Sequence, residues 1–175
     1  MVYLFYNIDE QIQKAKELYL LYGSDILKDK KYSSLLKDLE AAIEDSWKLM
    51  KDLGVVDICS ECAGEKAGGC CHFGIETCYT NMIILMNLLL GVTIPEKRKF
   101  ANNCLFVGEY GCLLKVRFKT CIHHLCPKLK KSLNEYDLFR LRAVNNYEIK
   151  LCVQAESAIR DWIRERERSF NASNQ

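Results

Sequence analysis

Asn134 to Ser169 reads NEYDLFRLRAVNNYEIKLCVQAESAIRDWIRERERS, and it decides the fold class. Leu141, Val144, Tyr147, Leu151, Ala155, Ile159 and Trp162 recur at three- and four-residue steps, the period of one apolar helical face. The last turns, Arg160 to Arg168, alternate in charge, which suits an exposed helix end carrying weak ion pairs. Upstream, Ile8, Ile12, Ala15, Leu18, Tyr19 and Tyr22 repeat the period, and Gly23 is expected to close that helix. Leu36, Leu39, Ile43, Trp47, Met50 and Leu53 repeat it again, with Gly54 behind them. Lys28 to Lys31 reads as a solvated connector between the two.

A third helix is expected over about residues 76–90, almost wholly apolar in its second half and therefore buried, with Gly91 after it. Thr93-Ile-Pro-Glu96 has the form of a capping box and predicts a short further helix. Leu105-Phe-Val107, Gly108-Glu-Tyr-Gly111 and Cys112-Leu-Leu-Lys-Val116 read as a small hairpin around a glycine-bounded turn. The expected fold is mainly α: a bundle of four or five helices with an irregular cysteine-rich segment and a short β-hairpin. It divides into an N-terminal helical pair (1–54), a cysteine-cluster segment (55–127) and a long C-terminal helix (134–169), all within one domain over 1–175.

Composition narrows the function classes. The 175 residues include 25 Lys and Arg against 23 Asp and Glu, a net charge of +2. That balance gives no broad attraction to phosphate, so a general nucleic-acid binder is not expected. Apolar residues at 49% and charged residues at 27% argue against a disordered chain. The apolar run Met82 to Val92 is broken by Asn87 and is too short to span a bilayer. The first ten residues have no basic region and turn acidic at Asp9, unlike a secretory signal. The expected setting is the reducing cytoplasm, away from membranes, with a protein partner as yet undefined.

Ten cysteines stand out against this ordinary background. In a reducing compartment, clustered cysteines point to metal more often than to disulfides. The first cluster is Cys59-Ser-Glu-Cys62 followed by Cys70-Cys71-His72, and glycines crowd the stretch around it. A tight turn at Cys-x-x-Cys brings two thiolates to one ion, and redox pairs share the spacing. The redox reading needs a helix starting at the first cysteine, and Gly64, Gly68 and Gly69 argue against one. Neighbouring side chains such as Cys70 and Cys71 diverge, so they suit two metals or a polynuclear cluster better than one ion. The second cluster is Cys104, Cys112, Cys121 and Cys126-Pro127, and a ligating cysteine before proline occurs in ferredoxin runs. Eight clustered thiols match two four-thiolate zinc sites or one iron–sulfur centre.

The order Cys59-x-x-Cys62, Cys70-Cys71, Cys104-Leu-Phe106, Gly111-Cys-Leu-Leu114, Arg117 and Cys121 resembles the YkgJ-type cysteine-cluster family. That family is described as carrying a zinc- or iron-chelating domain. Position by position, Cys59, Cys62, Cys70 and Cys71 match its first signature, and Cys104, Cys112 and Cys121 its second half. Arg117 stands in the place of its arginine. The chain departs from the pattern in the seven residues between Cys62 and Cys70, where the family has two, and in Lys115 and Phe118. The resemblance spans only about residues 59–126. A related cluster in flagellin lysine methylases implies that the module can accompany methyl transfer.

The expected metal ligands are therefore Cys59, Cys62, Cys70, Cys71, Cys104, Cys112, Cys121 and Cys126. An iron–sulfur cluster is preferred over zinc, because a second Cys-x-x-Cys knuckle is missing and the vicinal pair suits a polynuclear centre. A redox or accessory role leads, with a structural zinc module for protein partners and a small methyl-transfer enzyme as alternatives. Cys78 and Cys152, each inside a predicted helix, read as buried core residues. His72, His123 and His124 are candidates to ligate or to hydrogen-bond a thiolate, and Arg117 and Lys119 to offset its charge. Glu61 and Glu65 form a conceivable acid–base pair, but no active site is built around them in the sequence.

Overall fold

A computed structural model describes residues 6–64 and 69–173, with the side chains of 62–64 and 173 left out. The chain is mainly helical with one small two-stranded antiparallel sheet. Four helices form the bundle: α1 (Ile8–Lys28), α2 (Lys30–Asp52), α4 (Asn81–Leu89) and α7 (Glu135–Ser173). Three short helices, α3 (Val55–Gly64), α5 (Lys119–His123) and α6 (Pro127–Ser132), lie at the end where the cysteines gather. No helix among the described residues is long and apolar enough to cross a membrane.

The first helix does not stop at Gly23. It runs on to Lys28, because Ile26 completes the buried face begun by Ile12 and Ala15. Gly23 keeps helical geometry, and the Tyr19 ring lies 2.9 Å from where a Cβ would stand. Asp29 then serves both helices. Its amide donates to the Asp25 carbonyl at the end of α1, and its carboxylate accepts from the Lys31 amide at the start of α2. The expected stop at Gly54 holds, at φ +69°.

Helix α2 packs along α7, and α1 against α4. Trp162 of α7 meets the rings of Tyr22 and Tyr32 edge-on, at 5.9 and 6.0 Å between centroids. The inward face of α7 is not the purely apolar one expected. Tyr147 is exposed and Val144 only half-buried, while Leu141, Asn145, Glu148, Cys152, Ala155 and Ile159 face inward. Two polar side chains thus occupy core positions, one turn apart, at the cysteine-rich end.

The expected helix over 76–90 is two pieces. A 3₁₀ turn (Ile75–Cys78) leads to extended Tyr79 and Thr80, and Thr80 caps α4 by accepting from the Ile83 amide at 3.3 Å. The break lets the Tyr79 ring bury itself against Phe106, at 4.9 Å between centroids. Gly91 closes α4 at φ +75°. No helix forms at Thr93. Residues 92–104 instead lend their backbone to the first cysteine segment, with Phe73 N–H donating to Asn102 O (2.9 Å) and Cys104 N–H to Cys71 O (2.8 Å). A continuous helix there would withdraw those groups into itself. Arg98 adds an ion pair to buried Glu76 and stacks over the Phe73 ring.

The expected hairpin is present as β1 (Val107–Gly108) and β2 (Gly111–Cys112), with Val107 opposite Cys112. Beyond it, Asn87 acts as a peptide group would. Its Nδ2 donates to the carbonyls of Ile83 and Val116, both at 2.9 Å, and its Oδ1 accepts from the Val116 amide at 3.0 Å. This fully buried amide fixes the backbone next to Arg117. Replacing it with leucine strands both Val116 backbone groups, at about 1–3 kcal/mol for each buried unpaired group. Asn87→Leu should therefore lower unfolding free energy in urea by on the order of 3 kcal/mol; a change near zero would contradict the assignment.

Candidate metal centre

Cysteines from both clusters line one cavity. Cys59 on α3, Cys70 and Cys71 in a 3₁₀ turn (Gly69–Cys71), Cys112 on β2, Cys121 on α5 and Cys126 at the start of α6 all border it. The space is about 100 Å³, walled on its apolar side by Trp47, Met50, Val55 and Leu129. Six described cysteines, drawn from both clusters, thus border a single space.

Local structure explains each position. Residues 55–64 form α3 rather than an irregular loop, so Cys59 and Cys62 lie one turn apart on a helix that packs against β2 and α6. The side chain of Cys62 falls outside the described residues, as does Glu65 altogether. Cys126 caps α6, its sulfur 3.5 Å from the Leu129 amide, and Pro127 supplies the first helical residue. Gly111 at φ +113° makes the turn that brings Cys112 inward, and a Cβ there would stand 3.5 Å from the Trp47 ring. Cys104 is buried behind the cavity, one backbone hydrogen bond from Cys71, and is not part of its lining. Among the described residues, no three or more His, Cys, Asp or Glu side chains are arranged to hold a metal ion. The thiols share a cavity without forming a closed ligand set.

Their environments differ sharply. Burial pushes the Cys121 thiol up to about 12, with nearby Cys112 adding to it and Tyr79 and Arg117 opposing. Burial likewise raises Cys112, against the Leu114 amide, Arg117 and Tyr79, and it raises Cys104. At the mouth, Cys70 is exposed and its thiol is lowered to about 6, chiefly because Cys71 hydrogen-bonds to it, with His124 and His72 helping. The same bond, with burial, raises Cys71. Buried neutral thiols must lose protons before they ligate, so a metal bound here would release protons.

Sequence reasoning missed Tyr79, whose fully buried hydroxyl donates toward Cys121 Sγ at 3.9 Å. It also missed Glu148, which pairs with Arg117. Arg117 Nη2 lies 3.3 and 3.2 Å from the two carboxylate oxygens, and both residues are at most 5% exposed. The guanidinium sits over Trp47, 4.8 Å from the ring centroid, and its Nε has no hydrogen-bond partner among the described residues. A buried cation with an unsatisfied donor at a thiol-lined cavity suits a negatively charged group there. Glu148 lies beside the expected apolar face of α7, and its inward place shows only once Arg117 is known as its partner. No signal marked Tyr79.

The remaining candidates scatter. Cys78 and Cys152 are buried in the core away from this cavity, as expected. His124 borders it; His123 does not, and His72 hydrogen-bonds the Phe73 carbonyl from an exposed position. Lys119 is exposed and does not border the cavity, and Glu61 pairs with Lys128 at 3.1 Å. No protein-family model, curated protein or solved structure matches the chain.

Two outcomes are expected. In reduced, metal-stripped protein Cys70 should be the thiol alkylated fastest by iodoacetamide, its rate rising with pH to half-maximum near 6 as the thiolate forms; half-maximum near 9 would contradict the Cys71 hydrogen bond. Glu148→Gln should destabilise the fold by about 3–5 kcal/mol, because it leaves Arg117 buried without its counter-charge; thermal or urea unfolding measures this, and an unchanged transition would count against the pair.

Proposed function

We propose that this chain is a cytoplasmic metal-binding protein whose clustered cysteines hold one iron–sulfur cluster, in a redox or accessory role. The observation that carries the reading is the meeting of thiols from both cysteine clusters at a single cavity. A zinc ion takes four donors in a tetrahedron. Six cysteines bordering one space, two of them adjacent in sequence, exceed that need and suit a centre with several metal atoms. The likeness to the YkgJ-type family supports metal chelation by the same residues.

Cys59, Cys70, Cys71, Cys112, Cys121 and Cys126 are the ligand candidates at the cavity, with Cys62 beside Cys59 on α3. When bound, such a cluster supplies electron transfer at a potential set by burial and by hydrogen bonds to its sulfurs. The chain's own part is to surround it. Tyr79 directs a hydroxyl at Cys121, Arg117 brings positive charge close to Cys112 and Cys121, and Trp47 and Met50 exclude water on the apolar side. Cys70 and His124, both exposed, leave one edge open to a partner or small reductant.

Protein purified without oxygen should contain iron with matching acid-labile sulfide. Cys112→Ser and Cys121→Ser should lose most of both, while Cys78→Ser and Cys152→Ser keep them. Zinc without sulfide would replace this reading with a structural zinc module. Undiminished metal in the Cys112 and Cys121 variants would remove the cavity as its site.

A further inference from the structure

A second concavity lies beside the thiol cavity and shares His124 and Leu125 with it. It is larger, about 600 Å³, within the roughly 300–1,000 Å³ range of small-molecule sites. Lys119 of α5, Lys130 of α6 and Arg142 of α7 stand on its rim, with Asn146 one turn beyond Arg142 on the same helix. No carboxylate is among the described residues that line it, and none of the three cations is in an ion pair among the described residues.

That concentration of charge is out of keeping with a chain of net charge +2. Elsewhere on the surface, Lys16, Lys99, Lys115 and Lys128 each pair with a glutamate. Three consecutive elements, α5, α6 and α7, each contribute to the same hollow one cation that has no ion pair among the described residues. Its floor is different, because Leu125 and Ile149 supply apolar surface below the charged rim. A lysine pair and a guanidinium fork around an apolar floor match a dianionic head carried on a small organic body. A monocarboxylate would leave most of the positive charge uncompensated. A long nucleic acid would need a basic track extending beyond the hollow, which a chain of net charge +2 does not favour.

We propose that this groove binds a small phosphorylated organic molecule, its phosphate held by Lys119, Lys130 and Arg142 and its body resting on Leu125 and Ile149. The inference does not rest on the iron–sulfur reading, since none of these residues is a thiol. The shared wall at His124 sets any such ligand next to the cysteine cavity.

The test uses the whole 175-residue chain as purified, titrated with phenyl phosphate and followed by amide NMR shifts. Saturable shifts confined to residues 119–125, 130 and 142–149 are expected, with inorganic phosphate binding more weakly and phenol not at all. Lys130→Gln and Arg142→Gln, both at exposed positions, should each weaken phenyl phosphate about tenfold, as expected for loss of one hydrogen bond to a charged group. Lys16→Gln, outside the groove, should leave affinity unchanged. Absence of saturable shifts, shifts spread evenly over the protein's lysines, or unchanged affinity in the two groove variants would each overturn the proposal. Tighter binding of a single-stranded oligonucleotide than of phenyl phosphate would also overturn it, in favour of a nucleic-acid surface.

Discussion

Cys104 donates its amide hydrogen to the Cys71 carbonyl across 2.8 Å, and Phe73 donates to Asn102 across 2.9 Å. Through these two bonds the first cysteine segment is laid against the second, and the thiol cavity depends on that contact. The ion pair of Arg98 with Glu76 sits at the same junction, with the guanidinium stacked on Phe73. On the other side, Asn87 holds Val116 as a strand neighbour would, so that Arg117 enters the core from a fixed backbone. The helical bundle is thus a frame to which two cysteine-bearing loops are fastened by peptide-like hydrogen bonds. Apolar packing supplies much of the stability, and a few buried polar groups determine where the sulfurs stand.

Charge at the cavity is arranged in a sequence from open to buried. Cys70 at the mouth carries the lowered thiol, and the sulfurs deeper inside are held protonated by burial until something replaces their protons. Arg117 lines the cavity and lowers the Cys112 and Cys121 thiols, while its partner Glu148 is not among the lining residues. The pair is therefore oriented, positive end toward the thiols. Burying such a pair costs desolvation that its mutual attraction only partly offsets.

The long elements were legible because their signals are local and repeated. Glycines at 54 and 91 stop helices where positive φ is available to them, and the Leu141-to-Ile159 period sets α7. Gly23 shows the limit, since burial of Ile26 carries the helix past a residue that could have ended it. The expected face of α7 holds at Leu141, Ala155, Ile159 and Trp162, but between them Asn145 and Glu148 take inward positions in place of Val144 and Tyr147. Polar residues in a core stripe are recognisable only after their partners, Ile122 and Arg117, are known from the fold. The cysteine spacing marked the two clusters but not their meeting at one cavity, which is a long-range contact that no local pattern encodes. Tyr79 was hidden inside an apolar run read as continuous helix, and the capping-box motif at Thr93 lost to the backbone demands of residues 71–73.

The central claim is that thiols from both clusters serve one polynuclear centre rather than two single ions. X-ray absorption at the metal edge of anaerobically purified protein tests it most directly. The account predicts a sulfur shell together with a second shell of metal neighbours around each absorbing iron. A sulfur shell alone, with no metal neighbour, would contradict it and return the cysteines to mononuclear sites.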